Sequence, residues 1–145
     1  MNFNMKEGLG EIINKIIAEK TNPKKVKALQ KYDQPALRGI FELAYDKKLT
    51  WALPEGRPPY KPLDKSFDAQ GHLYSELRRC YLYIEGGNPN LKPLRREQIF
   101  VNTLEELDPD DALLLLSCKD RKIKGLSKKV IQEAFPGFLA DDINK

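Results

Sequence analysis

Side chains that could act as nucleophiles or general bases are few in this chain of 145 residues. It contains one histidine, His72, and two cysteines, Cys80 and Cys118. His72 and Cys80 are eight residues apart, about two helical turns, and could form a thiolate–imidazole pair on one helix face. Cys80, however, lies on an apolar stripe and Cys118 follows a run of leucines, where free cysteine behaves as a small hydrophobic residue. We therefore predict that both cysteines belong to the core.

Adjacent carboxylates are the other groups with catalytic potential. The pairs are Glu105–Glu106, Asp110–Asp111 and Asp141–Asp142. A magnesium-dependent nuclease needs acids that converge from separate elements, whereas adjacent acids at a helix start already stabilise the positive end of the helix dipole. One histidine and two distant cysteines cannot supply a zinc site without carboxylates, and Gly86–Gly87 lacks the Lys-Ser/Thr of a phosphate-binding loop. The sequence thus predicts no enzyme, no cofactor and no metal, with a nuclease using Asp110 and Asp111 as the weaker alternative.

Two groups of basic residues indicate a binding function instead. The first surrounds the "GGNPN" turn and consists of Arg78, Arg79, Lys92, Arg95 and Arg96. If the flanking helices fold back on each other, these five side chains gather at one end and form a phosphate-contacting patch. The second group runs from Lys119 to Lys129 and contains no aromatic residue, so it lacks the stacking platforms of single-strand binders. Either group would also be ordinary as a solvated helix face, because the formal net charge is only +4.

A long segment rich in proline interrupts the helical periodicity. Residues 49–70, "LTWALPEGRPPYKPLDKSFDAQ", hold four of the ten prolines, and proline lacks an amide hydrogen and fixes φ. We expect an ordered loop anchored by Trp51, Leu53, Tyr60, Leu63 and Phe67. Its "RPPYKP" stretch could adopt polyproline II and dock on a partner, or could simply cover the helices. The candidate partner-binding residues of this loop are Trp51, Arg57, Pro59, Tyr60 and Pro62.

Elsewhere apolar residues recur at helical spacing. The pattern predicts a first helix over residues 5–19, a second from Asn22 and Pro23, and a third after Asp33 and Pro35. It then predicts a helix over residues 72–85 that stops at Gly86, one from Pro93, one capped by Asp108, and a last one capped by Ser127. We therefore predict a single all-α domain over residues 1–145, a bundle of about six helices. Residues 26–49 and 101–123 share a helix–Asp–Pro–helix pattern, typical of two stacked helical hairpins or of unrelated amphipathic hairpins.

Composition excludes several broad classes of protein. With 41% hydrophobic residues and nine scattered glycines, the chain is neither disordered nor collagen-like. The longest apolar run has five residues, Ala112 to Leu116, where a membrane span needs about twenty. The first twenty residues show no secretory signal pattern. We expect a protein that acts inside a cell and not in a membrane.

Four stretches of the chain resemble a family of small proteins from T4-like tailed bacteriophages, including marine phages. They are "YDQPALRGIF", "LPEGRPPYKP", "YIEGGNPNLKPLRREQIF" and "GLSKKVIQEAFPG", within Tyr32 to Pro62 and Leu77 to Gly137. The family has no assigned function. The resemblance implies a phage origin and a place in the host cytoplasm or the virion, and it supplies no catalytic residues.

Taken together, these patterns favour a non-enzymatic phage accessory protein that acts by binding. We expect its partner to be nucleic acid, or a replication, recombination or transcription assembly. The alternative is a protein–protein module, either a virion component or an adaptor or inhibitor of a host enzyme.

Overall fold

The computed structural model describes residues 7–64 and 71–139. Within them lie seven α-helices and one 3₁₀ helix, which spans Leu77–Tyr83 between α4 and α5. The α-helices are α1 (Leu9–Ile17), α2 (Asn22–Lys31), α3 (Pro35–Tyr45), α4 (His72–Glu76), α5 (Pro93–Glu106), α6 (Pro109–Lys119) and α7 (Lys128–Ala134). In the described ranges the only extended pairing is an isolated antiparallel bridge between Trp51 and Ile84. The predicted all-α class is confirmed.

Prolines begin four of the helices. Pro23, Pro35, Pro93 and Pro109 each occupy one of the first two helical positions, where the missing amide hydrogen leaves no intrahelical bond unmade. These residues therefore mark helix starts that the sequence alone reveals.

The cap residues agree with the sequence at two helices and differ at two others. Asp108 accepts from Asp110 N at 3.0 Å and Ser127 accepts from Val130 N at 3.2 Å, as predicted. At α2 the prediction that Asn22 is the cap is wrong. The cap is Thr21, one residue earlier, which has the extended backbone that a cap requires. At α3 the cap position belongs to Gln34, and Asp33 binds the Arg38 guanidinium through both carboxylate oxygens at 2.8 and 2.9 Å.

The helix predicted over residues 72–85 is instead α4 followed by the 3₁₀ helix. A 3₁₀ helix has three residues per turn, so residues i and i+3 share a face. Cys80 and Tyr83 are accordingly buried, whereas Tyr81 is 54% exposed. Gly86 ends the segment with φ +85°, as its position predicted.

The core surrounds α6, which packs against α1, α3 and α5. Ala112, Leu114, Leu115 and Leu116 are buried on several sides, as the unbroken apolar run predicted, and only Leu113 points to solvent. Of the two predicted hairpins, the second helices α3 and α6 pack on each other, while α2 packs chiefly against α7 and α1. None of the described helices is long and apolar enough to cross a membrane.

The described part of the proline-rich loop, residues 49–64, is held by hydrogen bonds near both of its ends. Ala52 N donates to Tyr83 O at 2.7 Å, and Glu85 N donates to Thr50 O at 2.8 Å. Farther along, Lys61 N donates to the Glu105 carboxylate at 2.9 Å. Of the predicted anchors, Phe67 lies outside the described residues. The loop is thus held to the 3₁₀ helix and to α5 by its own backbone.

Candidate nucleic-acid interface

Arg96, one of the five predicted phosphate contacts, lies inside the fold. It is 8% exposed, and its guanidinium donates to Leu82 O at 2.9 Å and to Asn88 O and Leu91 O at 3.2 Å each. These bonds hold the "GGNPN" turn against α5, because the planar guanidinium can donate to several carbonyl groups at once. The prediction that Arg96 is a surface contact is wrong, because three carbonyl groups occupy its donors.

The other four predicted cations lie at the surface. Arg79 is 3.2 Å from the Glu76 carboxylate, whose charge offsets its own. Arg78, Lys92 and Arg95 are exposed, and none has a carboxylate within ion-pair distance in the described part of the chain. Around the turn, three free cations therefore remain of the five predicted.

The candidate loop residues divide into anchors and exposed positions. The indole of Trp51 donates to Leu43 O at 3.0 Å and stacks on Tyr83, with ring centroids 6.2 Å apart. Trp51 is therefore an anchor, as the sequence predicted, and because it is half-buried only part of its ring remains for a partner. Tyr60 is half-buried against the core, whereas Pro59 and Pro62 are exposed.

Arg57, the remaining loop candidate, binds Asp120 at 3.0 Å. That ion pair ties the loop to the residue that follows α6. The Arg57 charge is thereby balanced within the fold, although nearly half of its side chain is exposed.

Both cysteines are buried, as predicted. Burial raises the pKa of the Cys80 thiol to about 12 and that of Cys118 still further, so neither forms a thiolate at neutral pH. His72 instead lies near two carboxylates, 3.9 Å from Glu76 and 3.7 Å from Glu106. The described residues contain no cluster of three potential metal ligands.

Asp111 has a different environment from the one that the sequence suggested. It is 1% exposed, and its Oδ1 accepts from Gly10 N at 2.7 Å. Burial, with lesser contributions from the charges of Asp108 and Asp110, raises its pKa to about 7, although the Gly10 bond opposes that shift. Asp111 therefore caps the first turn of α1, which has no side-chain cap of its own, rather than facing solvent beside Asp110.

A second group of positive charges lies where α2 packs against α7. Residues 20–32 contain five lysines and no acid, and residues 121–132 contain five basic residues and no acid. The two spans are joined directly, because Lys25 Nζ donates to Gly125 O at 2.8 Å. We call the exposed lysines of these two spans the basic surface: Lys20, Lys24, Lys27, Lys31, Lys122, Lys124 and Lys129.

The end of α1 completes the junction between the two spans. Gly125 has φ +87°, and a Cβ there would lie 2.8 Å from Ile17 Cγ2. Glycine at this position lets the 121–129 segment turn tightly against α1 and α2. Lys124, just before this turn, lines a small pocket together with Asn14 and Ile17 of α1 and Asp110 of α6.

Two further basic residues hold the 121–129 segment in place through hydrogen bonds to backbone carbonyl groups. The Arg121 guanidinium donates to Leu43 O at 2.7 Å and also to Asp46 O. Lys25 is held on Gly125 O. These side chains fix the 121–129 segment against α2 and α3, and the exposed lysines project from a backbone that is already positioned.

The basic surface includes a groove between α1 and α2. It has a volume of about 510 Å³ and is lined by Lys24, Lys27, Lys31 and Lys15 together with Glu19. Lys15 pairs with Glu7, whereas the described residues contain no carboxylate paired with the three α2 lysines. From Lys24 to Lys31 the helix rises about 10 Å, so this row can follow several successive charges on a polyanion.

A known protein family matches residues 12–125, more than three quarters of the chain: the family of unknown function DUF6433. The chain belongs to that family. Comparison with curated proteins and with solved structures gave no match.

The DUF6433 match runs from within α1 to Gly125 and ends before α7. It thus includes every lysine of the basic surface except Lys129. The family has no assigned activity.

The sequence contained a signal for the basic surface, namely two spans of a dozen or so residues with five cations and no acid each. The sequence shows the Lys119 to Lys129 group as one cluster, but it does not show that the lysines of α2 lie next to it. The two spans come together because α2 packs against α7, although they are about 100 residues apart in the sequence. Hydrophobic periodicity does not reveal such a contact.

Proposed function

We propose that this protein is a non-enzymatic binding protein that contacts the phosphate backbone of nucleic acid through its basic surface. The observation that carries the proposal is the union of two basic, acid-free spans by the contact between α2 and α7. A chain with a formal net charge of only +4 concentrates seven exposed lysines there. Lysines that neutralise phosphates release condensed counterions, which drives binding that is independent of sequence.

Duplex nucleic acid suits this surface better than a single strand. Proteins that bind single strands without sequence preference stack bases on aromatic side chains. Residues 121–132 contain no aromatic, and the single aromatic of residues 20–32, Tyr32, is half-buried with Lys31 Nζ 5.4 Å from its ring centroid. Contacts from such a surface are to phosphate and fix position, without reading base edges.

The biological setting belongs to the same proposal. The resemblance to small proteins of T4-like phages supports a phage accessory protein that acts in the host cytoplasm, within a replication, recombination or transcription assembly. Contacts from Arg78, Lys92 and Arg95, at the start of α5 and in the 3₁₀ helix, would add to those of the basic surface.

Fluorescence anisotropy with labelled duplex and single-stranded DNA and RNA tests the proposal. We expect dissociation constants of about 10⁻⁴ to 10⁻⁶ M at physiological salt, rising steeply with salt concentration, and tighter binding to duplex. Absence of salt-dependent binding to every one of these probes would refute the proposal.

The second candidate function is a protein–protein module, a virion component or an adaptor of a host enzyme. Pro59 and Pro62 favour it, because both are exposed in a loop whose backbone is held on either side. A tagged pull-down from infected cells and mass spectrometry of purified particles test the adaptor and virion forms. Detection in neither experiment would count against both forms.

A further inference from the structure

The proline-rich loop and helices α5 and α6 enclose a pocket that the proposed nucleic-acid function does not use. Its volume is about 280 Å³, and its apolar walls come from Leu53, Pro58, Phe100 and Val101. An apolar cavity of about 150 Å³ accepts benzene. This pocket therefore has room for a molecule with one or two rings.

A largely buried lysine side chain lies at the pocket. Lys119, the last residue of α6, lines the pocket and is only 8% exposed. Its Nζ donates to Gly56 O at 2.6 Å, and the described part of the chain places no carboxylate within ion-pair distance of it. Arg57, which also lines the pocket, is by contrast paired with Asp120.

An ammonium group has three donors, and a charge held away from water needs compensating partners. One carbonyl group satisfies one of the three donors of Lys119. A carboxylate placed against Nζ would both accept a hydrogen bond and balance the charge, and such charge-assisted bonds are about twice as strong as neutral ones.

The acidic residues of the pocket limit how much negative charge it accepts. Glu97 on α5 and Glu55 on the loop also line it. Their negative charges oppose any anion and oppose a doubly charged phosphate most strongly, so a ligand balanced by Lys119 carries a single negative charge at most.

We propose that this pocket binds a small monocarboxylate with an apolar body, its carboxylate on Lys119 and its body against Leu53, Phe100 and Val101. The site is separate from the basic surface, since none of the seven lysines lines it. Success or failure of this proposal is therefore independent of nucleic-acid binding.

Phenylacetate and its neutral amide, phenylacetamide, are suitable probes in an NMR titration of the full chain. We expect phenylacetate to shift the amide resonances of Leu53, of residues 55–57 and of residues 97–101. Phenylacetamide should bind about tenfold more weakly because it lacks the charge-assisted bond. Equal affinity for acid and amide, or shifts confined to other residues, would overturn the proposal.

Three variants then locate the charge that recognises the probe. Lys119→Met keeps the apolar stem and should weaken phenylacetate binding about tenfold, whereas Glu97→Gln removes a like charge and should strengthen it. Lys122→Met, which removes an exposed lysine of the basic surface, is the matched control and should leave the affinity unchanged. An equal loss in Lys119→Met and Lys122→Met would overturn the assignment. If Lys119→Met fails to fold, the comparison of phenylacetate with phenylacetamide on the unaltered protein still tests whether the pocket recognises the carboxylate charge.

Discussion

Replacing Lys24 and Lys27 of α2 by glutamine removes two charges from the basic surface and leaves the helix intact. Both side chains are exposed and line the groove between α1 and α2. Glutamine has nearly the same helix propensity as lysine, so the double variant should unfold at the same urea concentration as the unaltered protein. Any change in nucleic-acid binding then reports the lost charges.

The salt dependence of binding gives the expected magnitude. Each lysine–phosphate contact on a duplex contributes about −0.9 to the slope of log K against log salt concentration, so contact by all seven exposed lysines gives about −6.3. The double variant should have a slope of about −4.5. Between about 50 and 200 mM salt, the unaltered protein would then lose about 6000-fold in affinity and the variant about 500-fold.

A charge-matched control separates the two basic regions of the molecule. Lys92→Gln with Arg95→Gln removes two exposed charges at the start of α5, where the sequence first placed the interface. Anisotropy titrations at four or more salt concentrations should show a clearly smaller slope change for this pair than for the α2 pair. If the α5 pair lowered the slope and the α2 pair did not, the inference from the α2–α7 contact would be refuted.

Three further predictions concern the framework. Gly10→Ala should destabilise the protein by about 1 to 3 kcal/mol in urea unfolding, because its Cβ would lie 2.6 Å from the Asp110 carbonyl; Gly39→Ala, with nothing within 4 Å, is the control and should stabilise by up to about 1 kcal/mol. Asp111 has its pKa raised from 3.8 to about 7, so the folded state favours the protonated acid. Its contribution is full below pH 3.8, declines as the pH rises to about 7 and is constant above that, a fall of up to about 4 kcal/mol; Asp111→Asn should abolish this dependence in unfolding measured across pH, and an unchanged dependence would contradict the assignment. Arg96→Lys should cost about 1 to 3 kcal/mol of stability with the salt slope of nucleic-acid binding unchanged, whereas a lower slope would return Arg96 to the interface.

The local rules that worked were those with a steric or covalent basis. Proline at a helix start, the caps at Asp108 and Ser127, and the glycine that ends the segment before the "GGNPN" turn are each decided by the chain within a few residues. The exchange of an α-helix for a 3₁₀ helix at Leu77–Tyr83 was not predicted, because Leu73, Leu77, Cys80 and Ile84 fit the α spacing. The buried pair Cys80 and Tyr83 satisfies the three-residue period equally well.

The site predictions failed where a polar side chain has a partner distant in sequence or across a turn. In the sequence, Arg96 and Asp111 cannot be distinguished from the exposed charged residues beside them, because residue type alone does not reveal burial. Carbonyl groups of Leu82, Asn88 and Leu91 bind Arg96, and the Gly10 amide reaches Asp111 across 101 residues. Trp51 likewise has partners in other elements, because its indole finds a carbonyl group of α3 and a ring of the 3₁₀ helix.

The sequence by itself determined that the chain is helical, where most helices begin, and that its cysteines are buried. These properties depend on spacing and on backbone sterics that act within one or two turns. Only the tertiary structure decided which charges are free, because each arginine or carboxylate can be satisfied by a carbonyl or amide group from any part of the fold. It likewise decided that α2 lies against α7, and so that two modest basic spans about 100 residues apart meet.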